Sequence, residues 1–209
     1  MPVGVVALVS LIWIPICLGQ GQPRPLPIKG EFAAPQWSPD GQWLGLTTPK
    51  YQGIYIVKPD GSGLKQISDE IGAGYRFAWS PDARRIAFKA RNVNGQAGKG
   101  AVRIAAIDGS GSKTVIESDG DVGLPVWTDN QSIRFTADRK VTVARLADGK
   151  LERQAASNAH AVAQASNGKT VIADAAEDDR IVMIDENGDK QFLTESKDGR
   201  FYDVRVSPK

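Results

Sequence analysis

The chain has one cysteine, Cys17, and one histidine, His160. A lone thiol closes no internal disulfide, and a lone imidazole excludes every metal site built on two histidines. No Gly-x-Ser-x-Gly elbow accompanies His160, so a hydrolase triad has no support, although one His could act alone as a base. Charge of one sign is also lacking. The formal net charge is +2, which gives no electrostatic case for nucleic acid or an anionic membrane surface. No segment carries a convincing helical period.

The one long uncharged apolar run is Val3 to Leu18, interrupted by Pro15. It is too short and too kinked for a transmembrane helix. It reads as the core of a secretory signal over residues 1–21, with cleavage after Gly19 or Gly21. The mature protein is then expected in the periplasm or outside the cell, with no integral membrane span. No Lys or Arg precedes the run, so the true start is expected upstream. Ile16 is too bulky for a lipoprotein site at Cys17. Without Cys17 the mature chain has no thiol, and its stability comes from the core alone.

What is present is a repeat. Trp37-Ser38-Pro39-Asp40-Gly41 returns as Trp79-Ser80-Pro81-Asp82-Ala83. Further anchors follow at Trp127, at a degenerate Gln164 and at Val206, with gaps of 42, 48, 37 and 42 residues. Such a period fits paired-helix arrays or four-stranded propeller blades. The local pattern selects blades. Each anchor precedes a turn of Pro, Asx and Gly type. Then come short apolar strands (Trp43–Thr47, Arg85–Lys89, Ser132–Thr136, Thr170–Asp174) and a third set (Ile54–Val57, Val102–Ile107, Val141–Leu146, Ile181–Ile184). Asp60-Gly61, Asp108-Gly109, Asp148-Gly149 and Asn187-Gly188 close them as hairpin signals. Weaker fourth strands, such as Leu64–Ile67 and Gln191–Leu193, complete the units.

Ile54 and Ile56 oppose Tyr55 and Val57, and Ile181 and Met183 oppose Val182 and Ile184. Apolar residues on both faces predict sheets covered on both sides, as between neighbouring blades. The fourth strands carry Lys65, Lys113, Arg153 and Lys190, as an outer edge should. A two-sheet sandwich is the competing fold, but it does not explain two turn types recurring in fixed order. The expected organisation is a Pro-rich linker or edge strand over 22–31, then a propeller over 32–209. Its blades lie at about 32–73, 74–121, 122–158 and 159–199, with the start of another at 200–209. Phe201 to Val206 opens that fifth unit and Ser207-Pro208-Lys209 stops in its first turn, so the sequence is expected to be a fragment.

The unit resembles the repeat of TolB-like β-propellers, most closely at Phe77-Ala78-Trp79-Ser80-Pro81-Asp82 with Arg85-Ile86-Ala87-Phe88. The resemblance covers about residues 33 to 209. It implies an all-β, usually six-bladed propeller of the periplasm or exterior. Family members serve as protein-binding platforms in the cell envelope. The same blades precede the catalytic domain of prolyl-oligopeptidase-like peptidases. This sequence has neither the α/β domain that precedes the propeller in TolB nor the hydrolase domain of the peptidases.

Two stretches imitate a phosphate loop. Gly111-Ser112-Lys113-Thr114 has Ser112 where glycine must stand, and Gly168-Lys169-Thr170 has Ala163 at the first glycine position. Both fall on repeating hairpin turns. Glu117, Asp119 and Asp121, like Asp185, Glu186 and Asp189, lack calcium-loop spacing. Asn130-Gln131-Ser132 fits a glycosylation acceptor inside a blade turn. No cofactor is expected.

The binding candidates come from aligning units. Tyr75, His160 and Tyr202 each lie four residues before their anchor, at the start of the innermost strand. Three amphipathic rings there would line the mouth of the central channel, or pack between blades with their polar tips hydrogen-bonded. The loop from Ala90 to Gly100, with Arg91, Asn92, Asn94 and Lys99, is longer than its siblings and falls on the same face. The reading is a non-catalytic platform for a protein or peptide of the cell envelope, using Tyr75, Arg76, Arg91, Asn94, His160 and Tyr202. The alternatives are the propeller part of a truncated peptidase or carbohydrate-active protein, and a polysaccharide binder.

Overall fold

A computed structural model describes residues 25–91, 100–120, 122–153, 158–165, 169–174, 179–185, 187, 189–196, 201 and 204. The expected signal segment 1–21, Asn92, Asn94, Lys99, Asp121, Gly168, Glu186, Tyr202 and most of the expected fifth unit lie outside them. The described chain forms strands throughout, with one short 3-10 turn at Ala73–Tyr75.

Sixteen strands fall into four sheets. The first holds β1 (Ala33–Trp37), β2 (Leu44–Thr47), β3 (Gln52–Val57) and β4 (Lys65–Ile71). The second holds β5 (Phe77–Trp79), β6 (Arg85–Arg91), β7 (Gly100–Ala106) and β8 (Ser112–Ser118). In the third are β9 (Val126–Asp129), β10 (Ser132–Ala137), β11 (Lys140–Arg145) and β12 (Leu151–Arg153). The fourth contains β13 (Ala159–Gln164), β14 (Thr170–Asp174), β15 (Asp179–Ile184) and β16 (Lys190–Ser196). Each sheet is an antiparallel meander in chain order. Four separate small sheets rule out the sandwich. Strands three and four run a few residues longer than the sequence pattern marks, because cross-strand pairing recruits polar residues such as Gln52 opposite Ile71.

The turn chemistry repeats atom by atom. The Ser38 hydroxyl donates to Asp40 Oδ1 at 2.6 Å and accepts from Trp43 N at 2.9 Å. Ser80, Asp82 and Arg85 do the same at 2.6 and 2.9 Å. The second turns are Asx turns: Asp60, Asp108 and Asp148 accept from Ser62, Ser110 and Lys150 N–H groups at 2.8, 2.8 and 2.9 Å. Gly61, Gly109 and Gly149 take the left-handed conformation these turns require, at φ 85, 89 and 68°.

The core lies between the blades. Ile54 and Ile56 of the first meet Phe77, Trp79, Ile86 and Phe88 of the second. Ala87, Val102 and Ile104 of the second meet Ile133, Phe135 and Ala144 of the third. Val141 of the third meets Val162, Ile172 and Val182 of the fourth. The outer face of the first blade, with Leu44, Leu46, Tyr55 and Val57, is covered by Leu26, Ile28 and Phe32. Residues 25–31 form no strand. Apolar packing onto the blade face, and not edge pairing, holds them.

The anchors act at these interfaces. Trp79 Nε1 donates to the Gln36 carbonyl at 3.3 Å, and Trp127 Nε1 to the Ala78 carbonyl at 2.9 Å. Each indole thus reaches back to the residue just before the preceding anchor. The facing position on the second strand is small. A Cβ at Gly45 would stand 2.6 Å from Phe77 and 3.2 Å from Trp79, and its counterpart is Ala87. At the third interface Arg134 occupies that position, and its guanidinium donates to Gln164 Oε1 and Thr170 Oγ1. Gln164 stands where tryptophan would, so the degenerate anchor is matched by its facing residue. No blade among the described residues precedes Trp37, which is 56% exposed.

Gly45→Ala will therefore overpack the first interface and lower stability by about 1–3 kcal/mol, measured by urea unfolding; an unchanged midpoint would contradict the close approach. A second expectation concerns acid. The Ser38 hydroxyl and Gln42 N–H hold the Asp40 carboxyl below its usual range. For Asp82, burial pushes upward, but the Ser80 hydroxyl, the Arg84 N–H and two arginine charges outweigh it. Both carboxyls are depressed in the folded state. Their contribution is complete above the ordinary carboxylate pKa of about 4 and fades as the pH falls through the folded value. Asp40→Asn with Asp82→Asn will be less stable at neutral pH, and will lose less further stability between about pH 5 and about pH 3 than the parent, as read by thermal melts across that window.

Candidate functional site

The second-to-third-strand hairpins and the segments leading into the innermost strands gather at one end of the arc. They surround a cavity of about 750 Å³. The first blade's hairpin contributes Lys50 and Tyr51, and the chain leaving that blade contributes Ile71 and Gly72. From the second unit come Tyr75 and the β6 end, Lys89 to Arg91. Val122, Gly123, Leu124, Thr136 and Arg139 belong to the third, and Asn158 to Val162 to the fourth.

A recurring backbone contact sets this geometry. Tyr51 adopts φ 55° and its carbonyl accepts from Gly74 N at 3.1 Å. Arg139 adopts φ 62° and its carbonyl accepts from Ala159 N at 2.9 Å. In both, a left-handed hairpin residue hands its carbonyl to the chain entering the next blade. Ala137 pairs with Lys140 across Asp138 and Arg139, both at positive φ, which makes a two-residue I′ hairpin. The left-handed backbone is costly for Tyr and Arg, and the carbonyl's inter-blade bond offsets it. The same geometry fixes Tyr51 and Arg139 on the cavity wall.

Two glycines let the incoming chain lie against a buried threonine. A Cβ at Gly74 would stand 1.6 Å from Thr47 Oγ1, and one at Gly123 would stand 2.1 Å from Thr136 Oγ1. Thr47 Oγ1 donates to the Gly53 carbonyl at 2.9 Å, and Thr136 Oγ1 to the His160 carbonyl at 3.3 Å. Of these equivalent threonines, Thr136 lines the cavity.

Of the residues singled out from the sequence, Tyr75, Arg91 and His160 line this one cavity. Tyr75 is 60% exposed and meets Tyr51 edge to face, with ring centroids 5.4 Å apart and planes at 80°. His160 is half-buried, and its Nε2 lies against the Phe201 carbonyl. A carbonyl only accepts, so that nitrogen carries the proton and is committed to the protein. Arg76 is half-buried and does not line the cavity. Asn94 and Tyr202 lie outside the described residues.

Sequence reasoning missed Lys50, Tyr51, Lys89, Arg139 and Asn158. Aligning hairpin tips, as was done for the anchors, brings Tyr51 and Arg139 into register; Lys89 is the counterpart of Thr47 and Thr136. Among the described residues the lining holds the cations Lys50, Lys89, Arg91 and Arg139 and no carboxylate. Among the described residues no three His, Cys, Asp or Glu side chains are grouped to hold a metal ion. The cavity offers hydrogen-bond donors, aromatic edges and an aliphatic floor, a set suited to binding.

No protein-family model matches the sequence, and no curated protein is significantly similar to it. Solved structures do match. TolB from Acinetobacter baumannii superposes with a TM-score of 0.63 at 19% identity, over 79% of this chain and 44% of that one. A puromycin-hydrolyzing peptidase from Mycobacterium tuberculosis gives 0.61 at 18% identity, over 83% and 33%. Oligogalacturonate lyase from Vibrio parahaemolyticus gives 0.58 at 10% identity, over 78% and 52%. The chain spans about half the length of these proteins or less. Among the described residues no apolar cluster joins the fourth blade to the first. Four meandering sheets stacked face to face, together with these likenesses, give the chain the fold of a TolB-like β-propeller, present as an unclosed arc.

Proposed function

We propose that the chain is a periplasmic or secreted propeller that binds a protein or peptide of the cell envelope in this cavity, without a covalent step. The observation that carries the reading is the convergence of all four blades on one cavity. Its rim groups (Tyr51, Tyr75, Arg91, Arg139) surround an apolar floor of Val122, Leu124 and Val162. A rigid concave surface with few placed polar groups is the usual form of a recognition site. Tyrosines at the rim supply contact area at low entropic cost. Export through residues 1–21 belongs to the same proposal, as does a rim completed by Asn94 and Tyr202.

A second reading is favoured by the likeness to the puromycin-hydrolyzing peptidase. In it, the arc is the propeller part of a longer hydrolase, and the cavity handles a peptide substrate. Both readings place a peptide at the same surface. They differ in whether a hydrolase domain follows Lys209, which the coding sequence downstream decides.

Peptides selected by display against the full chain will bind at this cavity. Tyr51→Ala with Tyr75→Ala will weaken the selected peptide at least about tenfold, each aromatic anchor contributing about 1 kcal/mol or more, while the far-UV spectrum stays unchanged. Calorimetry on both proteins reads the difference. A folded double variant that binds as tightly as the parent would remove the cavity from the proposal.

A further inference from the structure

We infer that the cavity selects acidic peptides, with carboxylate side chains reaching its rim while intervening apolar side chains occupy its floor. This rests on the peptide-platform reading above and adds the chemistry of the ligand.

The first observation is charge segregation. The whole chain is nearly balanced, with 26 basic and 24 acidic residues. The described lining of the cavity is not: it holds Lys50, Lys89, Arg91 and Arg139, and among the described residues no Asp or Glu lines it. These cations come from three successive blades, so the fold brings them together and no local sequence run does. Among the described residues Lys50, Arg91 and Arg139 enter no ion pair. Acidic groups nearby have other commitments. Glu70 pairs with Arg103 at 3.0 Å on the outer strands, and Asp138 accepts from Ser118 Oγ at 2.6 Å. A concave site lined by charge of one sign focuses its field and attracts the opposite charge.

The second observation distinguishes a peptide from an acidic glycan, which would bring the same carboxylates. The floor is aliphatic, from Val122, Leu124 and Val162, with the exposed Ile71 beside it. Tyr51 and Tyr75 stand edge to face at 80° and so form no flat platform for a sugar ring. Aliphatic side chains alternating with carboxylates suit this arrangement, because an extended strand sends successive side chains to opposite sides.

Binding of three fluorescein-labelled peptides of equal length to the full chain tests the inference. Leucine alternates with glutamate in the first, with glutamine in the second and with lysine in the third; oligogalacturonate serves as competitor. The glutamate peptide will bind at least tenfold tighter than the glutamine peptide, and the lysine peptide weakest. The glutamate advantage will shrink between about 0.05 and 0.5 M salt as the Debye length contracts. Lys50→Gln with Arg139→Gln will cut the glutamate-to-glutamine preference to below threefold. Equal binding of the glutamate and glutamine peptides overturns acidic selection and leaves the platform intact. No binding of any peptide defeats the platform reading itself. Oligogalacturonate that displaces the glutamate peptide and binds more tightly replaces the peptide by an acidic glycan. Comparing peptides on the unmodified protein keeps the test valid even if the double variant does not fold.

Discussion

The arc depends on how one blade seats on the last. An anchor indole on the innermost strand reaches back to a carbonyl of the preceding blade, as Trp79 does to Gln36 and Trp127 to Ala78. The indole needs room, and Gly45 and Ala87 supply it by presenting almost no side chain at the facing position. Burial of the ring against Ile54, Ile56, Ile86 and Phe88 gives the contact its apolar driving force. The single indole N–H fixes its orientation, since a buried donor without an acceptor is costly. A non-directional attraction and one directional bond together set the angle at which the next sheet begins.

The third interface shows that the position matters more than the residue. Arg134 and Gln164 replace the small residue and the tryptophan together, exchanging an apolar seat for a polar one. Burial pushes the Arg134 pKa down from its ordinary value. Contacts to Gln164 and Thr170 compensate two of its donors. Elsewhere Arg85 lies over the Trp127 ring at 5.1 Å, and the Asn130 side chain accepts from Asp82 N at 2.9 Å. These polar contacts belong to the interface between the second and third blades.

The cavity follows from the same stacking. The hairpins of the first and third blades each pass a carbonyl to the chain entering the next blade, from a left-handed residue at the tip. Tyr51 and Arg139 are those residues and are held at the rim as a result. A scaffold contact therefore positions groups that face the cavity. Rigidity at such points favours recognition, because less freedom is lost on binding.

By itself the sequence determined the blade. The repeated Trp-Ser-Pro-Asp turn, the Asx-Gly hairpins and the two-faced apolar strands are short-range signals, and each acts within about ten residues of where it is read. It also marked Tyr75 and His160, because equivalent positions in a repeat recur at equivalent places around the stack, and Arg91, because it opens a loop longer than its siblings. Only the tertiary structure decided that Lys50, Tyr51, Lys89, Arg139 and Asn158 share a wall with them, that Arg134 answers Gln164, and that Leu26, Ile28 and Phe32 cover the first blade. These groups lie tens of residues apart in sequence. Their meeting depends on the seating angle between sheets, which side-chain volume and one indole bond set at each interface and which no local pattern encodes.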